Sequence, residues 1–217
     1  MAARSTTDDS RQRAQRVADV LAEAYPDAIC ELDYRSPWQL LVATVLSAQC
    51  TDQRVNEVTP ELFRRYPGPR EMAGVELDEL ERLIRSTGFF RNKAANLQQT
   101  ARRIIADHGG RVPNELASLL ELPGVGRKTA KVVLGEAFGL AAGIAVDTHV
   151  RRLAGRIGLS SAMEPERVAA DLEDLIPREQ WVDFGKRLIL HGRRVCRARA
   201  PGCDDCVLVP VCARHGV

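Results

Sequence analysis

Residues 114–138 read NELASLLELPGVGRKTAKVVLGEAF, and this stretch decides the fold. It predicts a short helix capped by Asn114 that ends at a Leu-Pro bond, then a Pro-Gly-Val-Gly turn whose two glycines can take positive φ. A second helix is predicted from about Arg127, because apolar residues then recur at helical spacing. The stretch therefore predicts two helices joined by a tight hairpin.

The turn of this hairpin is a candidate anion site. Backbone N–H groups in the turn and in the first turn of the second helix have no intrahelical partner, so they can donate to a phosphate. A nucleic-acid backbone would bind there without sequence preference. A helical corner without a ligand is the alternative. The Lys128-Thr129 pair also suggests a nucleotide-hydrolase phosphate loop, but that motif needs Gly directly before Lys, where this chain has Arg127.

Helical periodicity extends through most of the 217 residues. The apolar segment WQLLVATVLSAQ follows Ser36-Pro37, which are suited to an N-cap and a first-turn proline. Leu97, Ala101 and Ile104 also repeat at helical spacing. Because no run alternates with period two between turn signals, the sequence predicts an all-α fold.

Four of the six cysteines stand close together near the end of the sequence, in the pattern C-x6-C-x2-C-x5-C. They are Cys196, Cys203, Cys206 and Cys212. Four thiolates in one short window are typical of a cubane iron–sulfur cluster, so we expect one [4Fe-4S] cluster. Zinc and two disulfides are the alternatives. Cys30 and Cys50 lie outside the pattern and are expected to be buried free thiols.

A run of basic residues precedes and enters this cysteine segment. It has no Asp or Glu from Phe184 through Cys203 and contains Lys186, Arg187, Arg193, Arg194, Arg197 and Arg199. Such a run beside a metal site is a candidate nucleic-acid footprint, and a solvated face is the alternative. The polar start lacks the apolar core of a signal peptide, and no stretch could span a membrane. We therefore expect a soluble cytoplasmic protein.

Lys128 and Asp147 are candidate catalytic residues. Only four of the 31 Lys and Arg residues are Lys, so a lysine at the start of a helix is unusual here. A primary amine can act as a nucleophile, whereas a guanidinium cannot. Lys131 lies one turn further along and is the weaker candidate. Asp147 precedes another amphipathic helix, where it is either an ordinary N-cap or a carboxylate that stabilises a developing cation. A surface lysine without function is the alternative for Lys128.

Three segments in this order resemble endonuclease III, the iron–sulfur DNA glycosylase/lyase family of the helix–hairpin–helix superfamily. They are LPGVGRKTAKVV, IAVDTHV and LILHGRRVCRARAPGCDDCVLVPVC. The similarity extends from about Ala18 to Cys212 and also covers LLVATVLSAQCTD and STGFFRNKA.

The resemblance implies two helical domains that flank a DNA-binding cleft. Residues 29–141 would form a six-helix barrel with the hairpin, and residues 13–28 and 142–217 would form the iron–sulfur cluster domain. Residues 1–12 are expected to be a disordered tail. The resemblance also implies a monomer that binds damaged double-stranded DNA and is associated with the nucleoid in the cytoplasm.

By position, the resemblance makes Lys128 the catalytic lysine and Asp147 the catalytic aspartate. Gln49 would fill the space left by an extruded base, and Phe89 stands where an apolar wedge, often Leu, enters the duplex. The expected DNA contacts are Gln49, Phe89, Gly124, Val125, Gly126, Arg127, Thr129, His149, Arg193, Arg197 and Arg199.

The resemblance implies a bifunctional base excision repair enzyme. It would remove oxidised pyrimidines through a lysine Schiff base and cleave the strand 3′ to the site by β-elimination. A monofunctional adenine or mismatch glycosylase is one alternative, although such enzymes generally lack the hairpin lysine. A non-catalytic iron–sulfur DNA-binding module is the other, and the presence of both Lys128 and Asp147 disfavours it.

Overall fold

The computed structural model describes the backbone of residues 2–217 and the side chains from Asp9 onward. In this part of the chain the regular structure is entirely helical, which confirms the prediction of an all-α fold. The chain divides into two compact units. One consists of Met1–Ile29 and Gly143–Val217, and the other of Cys30–Ala142.

The Cys30–Ala142 unit, called the hairpin unit below, contains seven α-helices and one 3-10 turn over Arg85–Thr87. The helices are α2 (Pro37–Leu46), α3 (Asp52–Arg65), α4 (Pro69–Ala73), α5 (Leu77–Ile84), α6 (Phe90–His108), α7 (Leu116–Leu120) and α8 (Arg127–Phe138). Helix α2 packs on α3 and α8, and α6 packs on α4 and α5. Leu40, Leu97 and Val133 are fully buried in the core between them.

Helix α2 begins as the sequence predicts. The Ser36 side chain accepts a hydrogen bond from the Gln39 N–H, and Pro37 occupies the first turn, where its missing N–H costs nothing. Almost the whole helix is buried, so its apolar sequence matches its central position in the unit. Cys30 and Cys50 are free thiols, but both are half-buried at the edge of this core rather than fully buried.

The other unit, called the cysteine unit below, contains α1 (Ala2–Ala24), α9 (Thr148–Ile157), α10 (Pro165–Leu175) and α11 (Trp181–Arg194), with a 3-10 turn over Arg178–Gln180. Helix α1 packs on α10 and α11, and α9 packs on α10 and α11. Val17, Leu153 and Leu188 lie in their shared core.

The start of α1 differs from the sequence expectation. The structure has a helix from Ala2, whereas a disordered tail was expected over residues 1–12, of which residue 1 lies outside the described part. Ala14 and Val17 are buried and stabilise the middle of α1. Because adding residues to an existing helix costs less than starting one, the helix extends back through the polar residues before Ala14. None of the helices in the described residues is long and apolar enough to cross a membrane.

Candidate functional site

The hairpin turn joins α7 to α8 and is hydrogen-bonded to α6. Gly124 takes a φ of +76°, whereas Gly126 has a φ of −89°, so only the first of the two glycines uses positive φ. The Thr100 hydroxyl donates to the Pro123 carbonyl at 2.9 Å, and the Val125 N–H donates to Leu122 at 3.1 Å. The turn is therefore fixed in shape before any ligand binds.

Two details of the hairpin differ from the sequence prediction. Helix α7 begins at Leu116 with Glu115 at the N-cap and no side-chain cap bond, so Asn114 does not cap it. Val125 is 6% exposed, so any contact of this residue with a ligand would be through its backbone. The start of α8 at Arg127 agrees with the prediction.

The first turn of α8 has the form expected of an anion site. Gly126 is the N-cap and has no side chain, and the first intrahelical bond runs from the Ala130 N–H to the Gly126 carbonyl at 2.9 Å. The N–H groups of residues 127–129 precede this bond, so no helical carbonyl accepts from them. Arg127 and Lys128 have exposed side chains in this turn. The helix dipole there favours negatively charged ligands.

Gln49 and Phe89 share an unusual backbone conformation within the hairpin unit. Their φ angles are +54° and +48°, values that side chains other than glycine rarely adopt. Both side chains are exposed, and the Phe89 ring is 64% exposed. Backbone strain combined with an exposed aromatic ring is more typical of a ligand-contacting residue than of a packing residue.

Lys93, in the first turns of α6, was not singled out from the sequence. It is only 5% exposed, and its ammonium donates to the carbonyls of Leu46 at 2.8 Å and Thr87 at 2.7 Å. Burial lowers the pKa of Lys93, and the nearby Cys50 thiolate would raise it. The scarcity of lysine in this chain, which drew attention to Lys128, applies equally to Lys93 and could have identified it.

Asp147 is the N-cap of α9 in the cysteine unit. One carboxylate oxygen accepts from the N–H groups of His149 at 2.8 Å and Val150 at 2.9 Å. These bonds orient a half-buried carboxylate at a helix N-terminus. The predicted N-cap is therefore confirmed, and the second carboxylate oxygen is not used in these two bonds.

Two arginines of α9 hold the start of the cysteine segment. The Arg152 guanidinium donates to the carbonyls of Gly192 and Cys196, each at 2.9 Å. The Arg156 guanidinium donates to the carbonyls of Arg197 at 2.8 Å and Ala198 at 2.9 Å, and lies 3.4 Å from the Cys196 sulfur. Their spacing of four residues places both on one face of α9, a signal that was present in RRLAGR.

The four cysteines of the predicted cluster site line one pocket of the cysteine unit. They share it with Arg156, His191, Val195 and Leu208, among others. All six cysteines of the chain are free thiols, which excludes the alternative of two disulfides in this structure. Burial raises the pKa of the Cys206 thiol, and repulsion from the three other cysteines acts in the same direction. Among the described side chains, no three His, Cys, Asp or Glu groups could hold a metal ion.

A buried histidine lies against this pocket. His191 is 1% exposed, and its Nδ1 atom lies 2.9 Å from the Tyr25 hydroxyl while Nε2 lies 3.4 Å from the Cys206 sulfur. Burial lowers the pKa of His191 to about 4, so the ring is neutral near pH 7. A neutral ring can accept from Tyr25 on one side and donate toward the sulfur on the other.

The basic run divides into two groups in the structure. Lys186 is half-buried and pairs with Asp183 at 3.0 Å, and Arg187 donates to the Tyr25 carbonyl at 3.4 Å. The exposed members are Arg193, Arg194, Arg197 and Arg199. Of the six basic residues in this run, these four have exposed side chains and are the candidates for phosphate contact.

The sequence profile of the HhH-GPD superfamily, a group of base excision DNA repair proteins, matches residues 42–178. This match includes the hairpin, α8 and Asp147. The endonuclease III of Synechocystis sp. is 54% identical over 202 residues, which cover 93% of this chain and 92% of that protein. The chain belongs to the endonuclease III family. This membership confirms the prediction of a base excision repair DNA glycosylase.

Further comparisons agree with this family. The endonuclease III of Bacillus subtilis is 46% identical over 89% of each chain. The solved structure of a trapped endonuclease III–DNA covalent intermediate superposes with a TM-score of 0.90 at 44% identity, covering 94% of this chain and 96% of that one. The all-helical fold is therefore that of the family.

The site residues predicted from the sequence are divided between the two units. Gly124, Gly126 and Lys128 lie together on the hairpin, with Gln49 and Phe89 in other loops of the same unit. Asp147, His149 and the four cysteines belong to the cysteine unit. Lys128 and Asp147 thus belong to different units.

Proposed function

We propose that this glycosylase is bifunctional, with Lys128 as the nucleophile and DNA containing oxidised pyrimidines as the substrate. The observation that carries the proposal is the position of an exposed primary amine in the first turn of α8, directly after the hairpin glycines. A phosphate bound at the hairpin N–H groups would hold the sugar–phosphate backbone next to this amine.

The damaged nucleotide must leave the base stack before its sugar can react. Unstacking costs least for a damaged base, which contributes to selectivity. Phe89 would insert its exposed ring as a wedge, and Gln49 would fill the vacated space. Insertion of an apolar side chain beside the site helps to unstack and bend the duplex. His149, Arg127, Thr129 and the exposed arginines would contact the phosphates.

Base removal transfers the anomeric carbon from the base to the enzyme. Positive charge develops on the sugar as its bond to the base breaks, and the Asp147 carboxylate would stabilise that charge. The neutral Lys128 amine forms the new bond to the anomeric carbon and gives up one proton to solvent or to a neighbouring base. The bond from that carbon to the ring oxygen then breaks, the ring oxygen takes a proton, and the nitrogen and carbon are left as an iminium. The departing base takes the bond electrons and a proton.

Strand cleavage then follows from the iminium. It acidifies the neighbouring sugar proton, whose removal sends electrons toward the carbon bearing the 3′ phosphate. The carbon–oxygen bond to that phosphate breaks, and the phosphate leaves as an anion. The result is β-elimination on the 3′ side of the site, and water later hydrolyses the iminium to release the enzyme.

We further propose that Cys196, Cys203, Cys206 and Cys212 bind one [4Fe-4S] cluster. The four thiols line one pocket, with the His191 ring near the Cys206 sulfur and an Arg156 N–H near the Cys196 sulfur. This lining suits an anionic cluster that is larger than a single ion. The bound cluster would supply structural cross-linking of the segment rather than bond chemistry. It would hold Arg197 and Arg199 in place for phosphate contact.

A monofunctional adenine or mismatch glycosylase is the second candidate. It would use the same hairpin and an aspartate, with water instead of an amine as the nucleophile. The exposed hairpin lysine favours the bifunctional enzyme.

With chromosomal DNA as the substrate, we place the protein in the cytoplasm at the nucleoid, acting as a monomer.

Borohydride trapping on a duplex with an oxidised pyrimidine tests this proposal. The wild-type chain should form a covalent adduct and cleave the strand. Lys128→Arg keeps the positive charge and should still bind DNA, but it should lose both the adduct and the cleavage. Lys131→Arg is the matched control and should retain both. A trapped adduct with Lys128→Arg, combined with its loss in Lys131→Arg, would show that the nucleophile is Lys131.

A further inference from the structure

Lys93 is a buried cation for which the proposed chemistry has no use. Its side chain crosses the interior of the hairpin unit, and its two side-chain partners are backbone carbonyl oxygens, those of Leu46 and Thr87. Burying an ammonium is costly unless it is hydrogen-bonded, so a position that packs well against apolar neighbours would ordinarily carry Leu or Met. The retained charge therefore indicates a specific task for these two bonds.

The first carbonyl belongs to the end of α2. Leu46 is the last residue of this helix, and the carbonyls of the final turn have no helical partner. Ser47 bonds to Ala43 through its N–H and to Thr44 through its hydroxyl, and Lys93 accounts for the Leu46 carbonyl. A cation is favoured at a helix C-terminus. The chain continues directly from this end to Gln49, which lies three residues later.

The second carbonyl belongs to the loop that carries Phe89. Thr87 is the last residue of the 3-10 turn, followed by Gly88 at a φ of +70° and then by Phe89 at +48°. Lys93 contacts this loop twice. Its ammonium binds the Thr87 carbonyl, and its backbone N–H donates to the Phe89 carbonyl at 3.1 Å. The backbone bond is the first intrahelical bond of α6 and does not depend on the side chain, so the ammonium bond to Thr87 is the contact that only the lysine supplies.

We propose that Lys93 is a positioning residue that links the Gln49 loop to the Phe89 loop and fixes the distance between the two side chains that enter DNA. This inference rests on the roles proposed above for Gln49 and Phe89. The Lys93 ammonium binds the last carbonyl of α2, three residues before Gln49, and also the Thr87 carbonyl, two residues before Phe89. Without it, the two loops would keep their own folds but would move independently.

Two features suit a lysine for this link. Its ammonium can donate to carbonyls from different directions, whereas the planar guanidinium of arginine is larger and donates in a fixed fork. At Leu46 the ammonium also occupies the C-terminal end of a helix, where a positive charge is favoured. Preorganised loops also lower the entropic cost of ordering them on DNA.

The test compares two substrates that make different demands on the loops. Lys93→Met keeps the length and apolar stem and removes the hydrogen bonds. We expect excision of a paired oxidised pyrimidine to fall about tenfold or more, since small misplacements can be costly, while cleavage of a preformed abasic site changes less than about threefold. The abasic site carries no base that must be unstacked. Arg91→Met, which removes an exposed cation two residues earlier, is the matched control and should change neither rate.

A second measurement reads the loops directly and does not need catalysis. The probe is a duplex with 2-aminopurine opposite a tetrahydrofuran abasic-site analogue, whose fluorescence rises when 2-aminopurine is unstacked. Binding of the wild-type chain should raise the fluorescence, and saturating Lys93→Met should give less than half of that rise. If wild type gives no rise, or if Lys93→Met gives the same rise, the positioning role is wrong. Failure of borohydride trapping by wild type would instead contradict the proposed function.

A double-mutant cycle separates positioning from general destabilisation. If Lys93 acts through Phe89, Lys93→Met should reduce base excision less than about twofold in a Phe89→Ala background. The effects of two substitutions are not additive when one residue acts through the other. Multiplied losses in the double variant, or equal losses on both substrates, would overturn the proposal. Should Lys93→Met fail to unfold cooperatively, Lys93→Gln provides a polar alternative with one remaining donor group, and the same outcomes decide.

Discussion

The Cα of Gly124 faces the side-chain amide of Asn96 so closely that a Cβ at position 124 would lie 2.8 Å from the Asn96 nitrogen. The glycine is also in the left-handed region, with a φ of +76°. Both conditions disfavour a larger residue at the first glycine of the hairpin. Neither condition holds at Gly126, whose Cβ would meet nothing within 4 Å.

Gly124→Ala should therefore lower the free energy of unfolding by about 2 kcal/mol, from backbone strain and the displaced Asn96 side chain. Gly126→Ala is the matched control. It should cost less than about 1 kcal/mol: alanine is a poorer N-cap than glycine, but its Cβ has space here and the φ is negative. Urea unfolding of the two variants measures both values. Equal losses would indicate that the shape of the turn does not depend on the Gly124–Asn96 contact.

Asp147 combines a structural and a proposed chemical task that two substitutions separate. Asp147→Asn keeps a side-chain oxygen for the His149 and Val150 N–H groups, so stability should change little. Asp147→Ala loses the cap and should cost about 1 kcal/mol. Both should depress base excision strongly, because both remove the negative charge, while some cleavage of preformed abasic sites remains. Thermal unfolding and excision rates check the two effects, and wild-type excision by Asp147→Asn would reduce Asp147 to a cap.

Arg156 should control how firmly the start of the cysteine segment is held. Arg156→Met removes the donors to the Arg197 and Ala198 carbonyls and should destabilise this segment by about 1–2 kcal/mol. Hydrogen exchange over residues 196–203 should accelerate accordingly. Arg151→Met, on an exposed face of α9, should leave that exchange unchanged. Unchanged exchange in Arg156→Met would show that other contacts hold the segment.

Glu61 should give a pH-dependent contribution to stability. Hydrogen bonds from Arg64 and Arg65 lower its pKa from 4.5 to about 2. The folded state therefore favours the carboxylate, so the stabilisation is complete above pH 4.5 and declines as the pH falls toward 2. The difference in unfolding free energy between wild type and Glu61→Gln should shrink over this interval. It should also shrink in 1 M salt, because these exposed charges are screened.

The sequence predicts the elements of this site better than their connections. The start of α8, the Ser36 and Asp147 caps and the all-helical fold follow from local patterns, and the structure agrees with them. Asn114 was expected to cap α7 and does not, because α7 begins at Leu116 and its N-cap is Glu115. Gly126 was expected to share the conformational role of Gly124 and is extended instead.

The contacts of Lys93, Arg152 and His191 lie beyond local patterns. Lys93 bonds to Leu46 across 47 residues, and His191 bonds to Tyr25 across 166. No periodicity or spacing in one sequence identifies partners at such separations. For Lys93 the only available signal was rarity, since lysine is scarce in this chain, and rarity identifies a residue without naming what the residue contacts.

The cysteine unit consists of two segments that are separated in the sequence, so a ribosome synthesises them at different times. Helix α1 emerges before residues 30–142, yet its partners α10 and α11 emerge only after the whole of Cys30–Ala142. The hairpin unit can fold as soon as it is complete, whereas Val17 and Leu21 must wait with their apolar faces uncovered. Nascent chains halted before residue 165 should thus expose α1 to proteases and chaperones while the hairpin unit is already protected.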